Sequence, residues 1–312
     1  MKDKKEVLQQ LGEMLKAYLK SGPTSPTHAD EVVAAIFDLA RPLIVTPEKA
    51  TAAYQAGCKG FLDEVIRVKG MPTREIVSGS KSASAVVSSS GNDISKRFDS
   101  LLPKIRKQFK WCVENYKKQS TSYFDDQAEE FREIVRAFLC NTPAGGTKNK
   151  VELKEITRIK KEMFSLIEWD ELFGVYKAAS FPAEVEYIFD IEKHPLAAVW
   201  RYNQLDTQGA YKQTYNHELL DGRVYAVADN WAIQKGLMVA GPDGYVDHIT
   251  RPSQEVGCMC SLSWIYSLRA LPGAMITPKG RAELQRIRAI IDDEAVEKPG
   301  VLGKVLGWFK RG

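Results

Sequence analysis

Apolar residues recur at helical spacing through the first half of the chain. In Glu6–Lys20 they fall at Leu8, Leu11, Leu15, Tyr18 and Leu19, with Lys and Glu between, and Ser21-Gly22-Pro23 ends the run. That pattern predicts an amphipathic helix packed on its own domain; a docking or oligomerising arm is the alternative. Asp30–Leu39 and Pro47–Gly70 repeat it, and Thr46-Pro47 supplies an N-cap followed by proline at the first helical position. From Ile94 to about Leu139 the chain carries two stripes. The first is Phe98, Leu101, Leu102, Ile105, Phe109, Cys112, Val113 and Tyr116; the second is Phe124, Ala128, Phe131, Ile134, Val135 and Phe138. They predict a helical hairpin broken near Gln119–Ser122. Val151–Glu168 predicts one more helix, with Leu153, Ile156, Ile159, Met163, Leu166 and Ile167.

Near Pro182 the period shortens. Val185–Ile191, Ala197–Asn203, Arg223–Val227 and Cys258–Leu268 are expected as strands, and Gly241-Pro242-Asp243-Gly244 as the turn of a hairpin. Thr277-Pro278 opens a last helix running to about Ala295, with Leu284, Ile287, Ile290 and Ile291 on one face. Helices followed by strands give an α+β protein: a mainly helical region followed by a smaller α+β domain with a short antiparallel sheet. The expected divisions are 1–175 (helical, with a Ser-rich loop at 71–92), 176–297 (α+β), and 298–312, a basic aromatic tail. The loop segment SGSKSASAVVSSSGN has almost no large apolar side chain with which to offset its ordering entropy, so it reads as a mobile loop or linker.

Composition narrows this picture without naming a function. The 312 residues are 44% hydrophobic and 27% charged, which excludes wholesale disorder and fibrous structure. A net charge of +4 is too small to predict nucleic-acid binding by itself. No run of apolar residues is long enough for a spanning helix, and MKDKKEVLQQLGEML does not resemble a secretory signal. Cys58, Cys112, Cys140, Cys258 and Cys260 are odd in number and scattered, as expected of a reduced, intracellular protein without a disulfide framework.

The densest chemistry lies between Leu205 and Cys260. His217, His248, Cys258 and Cys260 are the only set of plausible zinc ligands there, and the tight Cys-x-Cys spacing argues against them, so neither metal nor cofactor is expected. Nucleophilic catalysis by either cysteine would need His217 or His248 as base, and no nucleophile signature surrounds them. Ser120-Thr121-Ser122 and Glu184-Val185-Glu186 mimic the Ser-Thr-Ser and Glu-x-Glu elements of ADP-ribosyltransferases; that makes an enzyme or toxin-like effector the alternative function. Neither G-x-x-x-x-G-K-[ST] nor G-x-G-x-x-G occurs. Lys104, Lys107 and Lys110, at i, i+3, i+6 beside Trp111, are candidate DNA contacts, which would make the chain a DNA-binding accessory protein.

The stretch from Trp200 to Cys260 resembles the C-terminal domain of the phage Mu F-like minor head proteins, the head-morphogenesis family. A Trp strand (Trp200), Asp206, His217, Leu220-Asp221-Gly222 with a following strand at Val224-Tyr225, Pro252, and Gly257-Cys258-Met259-Cys260 stand in that family's order. Glu255-Val256 stands where the family has His-Pro, and Met259 where it has a basic residue; both departures weaken the case for metal. The resemblance implies a non-enzymatic structural protein of the virion head, a minor capsid protein made in the host cytoplasm and aiding viral assembly or DNA delivery. Its partners would be portal or capsid proteins and packaged DNA, with no stable membrane insertion. Trp200, Asp206, His217, Asp221, Gly222, Cys258 and Cys260 would serve as a structural motif.

Overall fold

The computed structural model describes residues 3–20, 25–72, 91–141, 150–172, 174–202, 216–255, 258 and 260–297. It divides into two compact units, Met1–Pro182 and Ala183–Gly312. The division falls seven residues beyond the 175/176 boundary read from sequence. Most of the Ser-rich stretch (73–90), Asp206, and the tail 298–312 lie outside the described residues; Gly91 and Asn92, taken as its end, open a helix.

The first unit is built from α1 (Lys4–Lys20), α2 (Pro26–Ala40), α3 (Pro47–Val68), α4 (Gly91–Asn141), α5 (Lys150–Ile167), the single turn α6 (Trp169–Leu172) and the start of α7 (Gly174–Ile191). Prolines at the N-termini of α2 and α3 follow Ser25 and Thr46, whose hydroxyls accept from the backbone N–H groups of His28 and Lys49. Val7, Leu11, Leu15 and Leu19 of α1 are buried in one core with Val33 and Ile36 of α2, Phe131 and Val135 of α4, and Ile156, Ile159 and Met163 of α5. The apolar face of α1 is therefore consumed within its own unit. Each such leucine or isoleucine contributes about 1.5–3 kcal/mol relative to exposure.

α4 is one continuous helix of 51 residues, roughly 75 Å long, and not the expected hairpin. Cys112, Tyr116, Ser120, Phe124 and Ala128 follow one another at i+4, and Tyr116 and Ser120 are fully enclosed. Ser120 looks like a break in sequence, yet it points inward and donates to the Lys117 carbonyl at 3.1 Å. Along the first half of α4, Tyr54 of α3 stacks on Tyr116 (ring centroids 4.3 Å) and shares a 2.6 Å hydrogen bond with Ser180; Phe181 meets Phe61 and Phe109 edge-on.

The expected strand Val185–Ile191 is instead the second half of α7. Phe181, Glu184, Val185 and Phe189 are among its buried positions, a helical i, i+3, i+4, i+8 set disguised in sequence by a glutamate on the buried face.

In the second unit, β1 (Ala197–Arg201) is the central strand, flanked by β2 (Val224–Ala226) and β3 (Ser261–Ile265), both antiparallel. Register pairs Ala197 with Ala226 and with Ile265, and Trp200 with Leu262. Both faces of the sheet are covered. Ala197 and Ala226 join Leu237, Met238, Leu268, Leu271 and Met275 on one side; Ala198 and Trp200 join Leu220, Tyr225, Val246, Cys258 and Cys260 on the other. Three departures from expectation occur here. β3 begins at Ser261, so Cys258 and Cys260 precede the strand. No hairpin forms around Gly241–Gly244; Met238 bridges Ile276, and Tyr245 runs parallel to Ala226. The short α8 (Trp231–Gln234) occupies part of the intervening chain.

α9 (Pro278–Glu297) is capped as expected, the Thr277 hydroxyl accepting from Gly280 N–H at 3.0 Å. Gly280 is required by close approach: a Cβ there would lie 2.1 Å from the Leu237 carbonyl oxygen. Of its expected apolar face, Leu284 packs on the core and Ile290 is exposed. No described helix is long and apolar enough to cross a membrane.

Candidate functional site

Alternation along β1 sends Trp200 to the face opposite Ala197 and Val199. His217 opens a 3₁₀ turn, His217–Leu220, capped by Asn216, whose side-chain oxygen accepts from Glu218 N–H at 3.0 Å. The ring meets Trp200 edge-on at 5.4 Å. Gly222, in the left-handed region with φ 74°, donates its N–H to the Trp200 carbonyl at 3.0 Å, and the Asp221 carboxylate accepts from Tyr202 N–H at 2.9 Å. The Asp-Gly turn thus ties itself to the backbone of β1 and its following residue, Gly222 by its N–H and Asp221 by its carboxylate.

Cys258 and Cys260 arrive from the other flank of the sheet. Cys258 N–H bonds to the Glu255 carbonyl at 3.1 Å, and Cys260 leads directly into β3. A ring nitrogen of His217 and the two thiol sulfurs lie within 4.8 Å of one another, and Nδ1 is 3.7 Å from the Cys260 sulfur. All three residues are buried, His217 to 2% exposure. The other ring nitrogen, Nε2, faces the Glu255 carboxylate at 3.3 Å. That carboxylate oxygen is buried and has no well-aligned hydrogen bond among the described residues; neither has Trp200 Nε1.

The electrostatics follow from this geometry. The Cys260 sulfur, then Glu255, push the His217 imidazole up to about 9, against the opposing effect of burial. Cys260 and burial together push the Cys258 thiol up.

The turn that carries Glu255 is held by a glutamate of α7. Glu184 is 2% exposed, pairs with the Arg251 guanidinium, and accepts from the Gln254 side chain at 2.8 Å. Gln254 in turn accepts from Arg251 N–H at 2.9 Å, and Arg251 lies over the Tyr187 ring at 4.0 Å. Burial raises the Glu184 carboxyl above its ordinary value, opposed first by Arg251 and then by Gln254. Thus Glu184, expected in an ADP-ribosyltransferase-like pair, is occupied as a brace. Glu186 is exposed, and Ser120 sits on a helix where that resemblance needs a strand.

Of the four candidate ligands, the structure assembles His217, Cys258 and Cys260. His248 is exposed against the Tyr245 ring and stands outside the group. Lys104, Lys107 and Lys110 are exposed on α4, with Trp111 at 37% exposure. Two residues that the sequence analysis did not single out matter here. Glu255 gave no signal beyond standing in place of the family's histidine. Asn230 had a legible one, a cap residue just before Trp231–Gln234. Buried, it donates to the Leu196 and Val227 carbonyls and accepts from Ala232 and Ile233 N–H.

No protein-family model matches the chain, and no curated protein or solved structure matches it either.

Proposed function

We propose that this chain is a structural protein of a tailed-phage or prophage head, a minor capsid protein of the head-morphogenesis type that works by protein–protein contact. One observation carries the reading. Trp200, His217, Asp221, Gly222 and Cys260 are spread over sixty residues of sequence. They converge on one side of a three-stranded sheet, tied by the Gly222–Trp200 backbone bond, the Asp221–Tyr202 bond and the His217–Cys260 contact. Their mutual contacts suit a knot that stiffens a small domain. The large helical unit suits docking on portal or capsid proteins. Lys104, Lys107 and Lys110 supply a modest cationic strip toward packaged DNA.

The test is co-sedimentation. A tagged chain, expressed from its own phage or prophage during particle assembly, is expected to travel with heads or portal complexes through a density gradient, in few copies per particle. Glu186→Ala is expected to travel equally well. A chain that stays at the top of the gradient while heads assemble normally overturns the proposal. Turnover of a small molecule by the purified chain, lost in Glu186→Ala, would favour the enzyme alternative.

A further inference from the structure

We propose that His217, Cys258 and Cys260 bind one zinc ion, with Glu255 as the carboxylate that orients the histidine. The inference concerns these four side chains alone and stands apart from the viral reading.

Four observations carry it. First, the donor set is one imidazole nitrogen and two sulfurs, the combination that borderline-soft Zn²⁺ selects over magnesium or calcium. Second, the three donor atoms already lie within 4.8 Å of one another. Tetrahedral zinc, with Zn–S of about 2.3 Å and Zn–N of about 2.0 Å, requires separations of roughly 3.6 Å between N and S and 3.8 Å between sulfurs. The 3.7 Å from His217 Nδ1 to the Cys260 sulfur meets that requirement. Third, the imidazole presents its two nitrogens to different partners: Nδ1 to the Cys260 thiol, Nε2 to Glu255. A metal-bound histidine characteristically gives its distal N–H to a carboxylate, which fixes the tautomer and strengthens the donor. Fourth, the groups are buried, and the Glu255 oxygen facing the ring lacks a well-aligned hydrogen bond among the described residues. A carboxylate oxygen enclosed beside an imidazole without a well-aligned hydrogen bond is a costly arrangement unless the pair serves a further group.

The tight Cys-x-Cys spacing is overcome by chain direction. Cys258 N–H bonds back to the Glu255 carbonyl, and Cys260 stands one residue before β3; both sulfurs lie near the same histidine. The Glu184–Arg251–Gln254 brace holds that turn. Among the described residues no fourth Cys, His, Asp or Glu joins the group.

The test uses the full chain purified under reducing conditions without chelator. Mass spectrometry of the metal content is expected to give about one zinc per chain. After chelation, Co²⁺ is expected to restore one equivalent with a thiolate-to-cobalt charge-transfer band, read on the unmodified protein and so independent of any variant's folding. His217→Ala, Cys258→Ser and Cys260→Ser are expected to weaken Zn²⁺ by at least about 100-fold in competition with a chromophoric chelator. Glu255→Gln is expected to keep the stoichiometry and weaken affinity by about 10–100-fold. His248→Ala and Cys140→Ser are expected to change nothing. Absence of stoichiometric metal both as purified and after reconstitution overturns the proposal. So does a cobalt complex without thiolate absorption, or equal losses in His248→Ala and His217→Ala. Unchanged affinity in Glu255→Gln overturns the role given to Glu255.

Discussion

The two units hold themselves together by different means. Met1–Pro182 relies on apolar side chains repeated along helices; of its enclosed polar groups, Ser120 bonds within its own helix and Ser180 bonds the Tyr54 hydroxyl of α3. Ala183–Gly312 has a three-stranded sheet too small to bury much area, and it draws on polar side chains aimed at backbone groups. Asp221 accepts from Tyr202 N–H, Asp243 from Val224 N–H, Asp247 from Ala228 N–H and the Tyr187 hydroxyl, and Asn230 closes four bonds. The contrast teaches how each unit should fail. Loss of volume damages the first; loss of one partner in a bonded pair damages the second.

Phe131→Ala should show the largest effect. The side chain is 1% exposed at the junction of α2, α4 and α5, and removing it should cost about 3–5 kcal/mol in urea unfolding. A loss below about 1 kcal/mol would break the claim that this unit rests on packed volume.

Arg251→Met should come next, at about 2–3 kcal/mol near neutral pH. It falls somewhat below the value for a fully enclosed pair because Arg251 retains a fifth of its exposure. The pH dependence has a definite sign. Glu184 titrates above its ordinary value when folded, so between the two values the native state binds more protons than the unfolded state, and its contribution falls as pH rises through that window. Without Arg251, an ionised Glu184 stands buried with only Gln254. The deficit of Arg251→Met should therefore be greatest above the folded pKa of Glu184 and shrink as pH falls through it. A deficit that widens on acidification would contradict the brace.

Asn230→Ala should cost about 1–2 kcal/mol, since it removes a helix cap and leaves the Leu196 and Val227 carbonyls short of a donor. The smallest effect sharpens the other side of the comparison. Ser120→Ala should stabilise the fold by up to about 0.5 kcal/mol, read as a slightly higher thermal midpoint, because alanine is the better helix former in an unbroken α4. A large loss would mean that the chain does turn at Gln119–Ser122.

Legibility followed the same division. Helices α1, α3 and α5 were readable because one apolar stripe per helix sets both period and buried face, as Leu11, Leu15 and Leu19 illustrate; α9 was readable from its Thr277-Pro278 start. Misreadings arose where a polar residue occupied a buried place. Ser120 split α4 into an apparent hairpin, and Glu184 disguised α7 as a strand, because side-chain polarity was taken as exposure. Gly241–Gly244 carried the glycines of a turn, but the flanking runs pair with Ile276 and Ala226, not with each other. A local signal cannot select a distant partner.

By itself the sequence determined the α+β order of elements, the helix caps at Thr46 and Thr277, and the inward spacing of the apolar stripes, since each depends on neighbours within about two turns of chain. Only the tertiary structure decided which chemistry meets. His217, Glu255, Cys258 and Cys260 come together because a capped turn after β1 and a braced turn before β3 bring their chains to the same face of one sheet. His248, equally plausible on paper, is carried to the surface by the path of the chain between β2 and β3. Contacts across forty residues are set by strand pairing and burial, and these are properties of the folded chain as a whole.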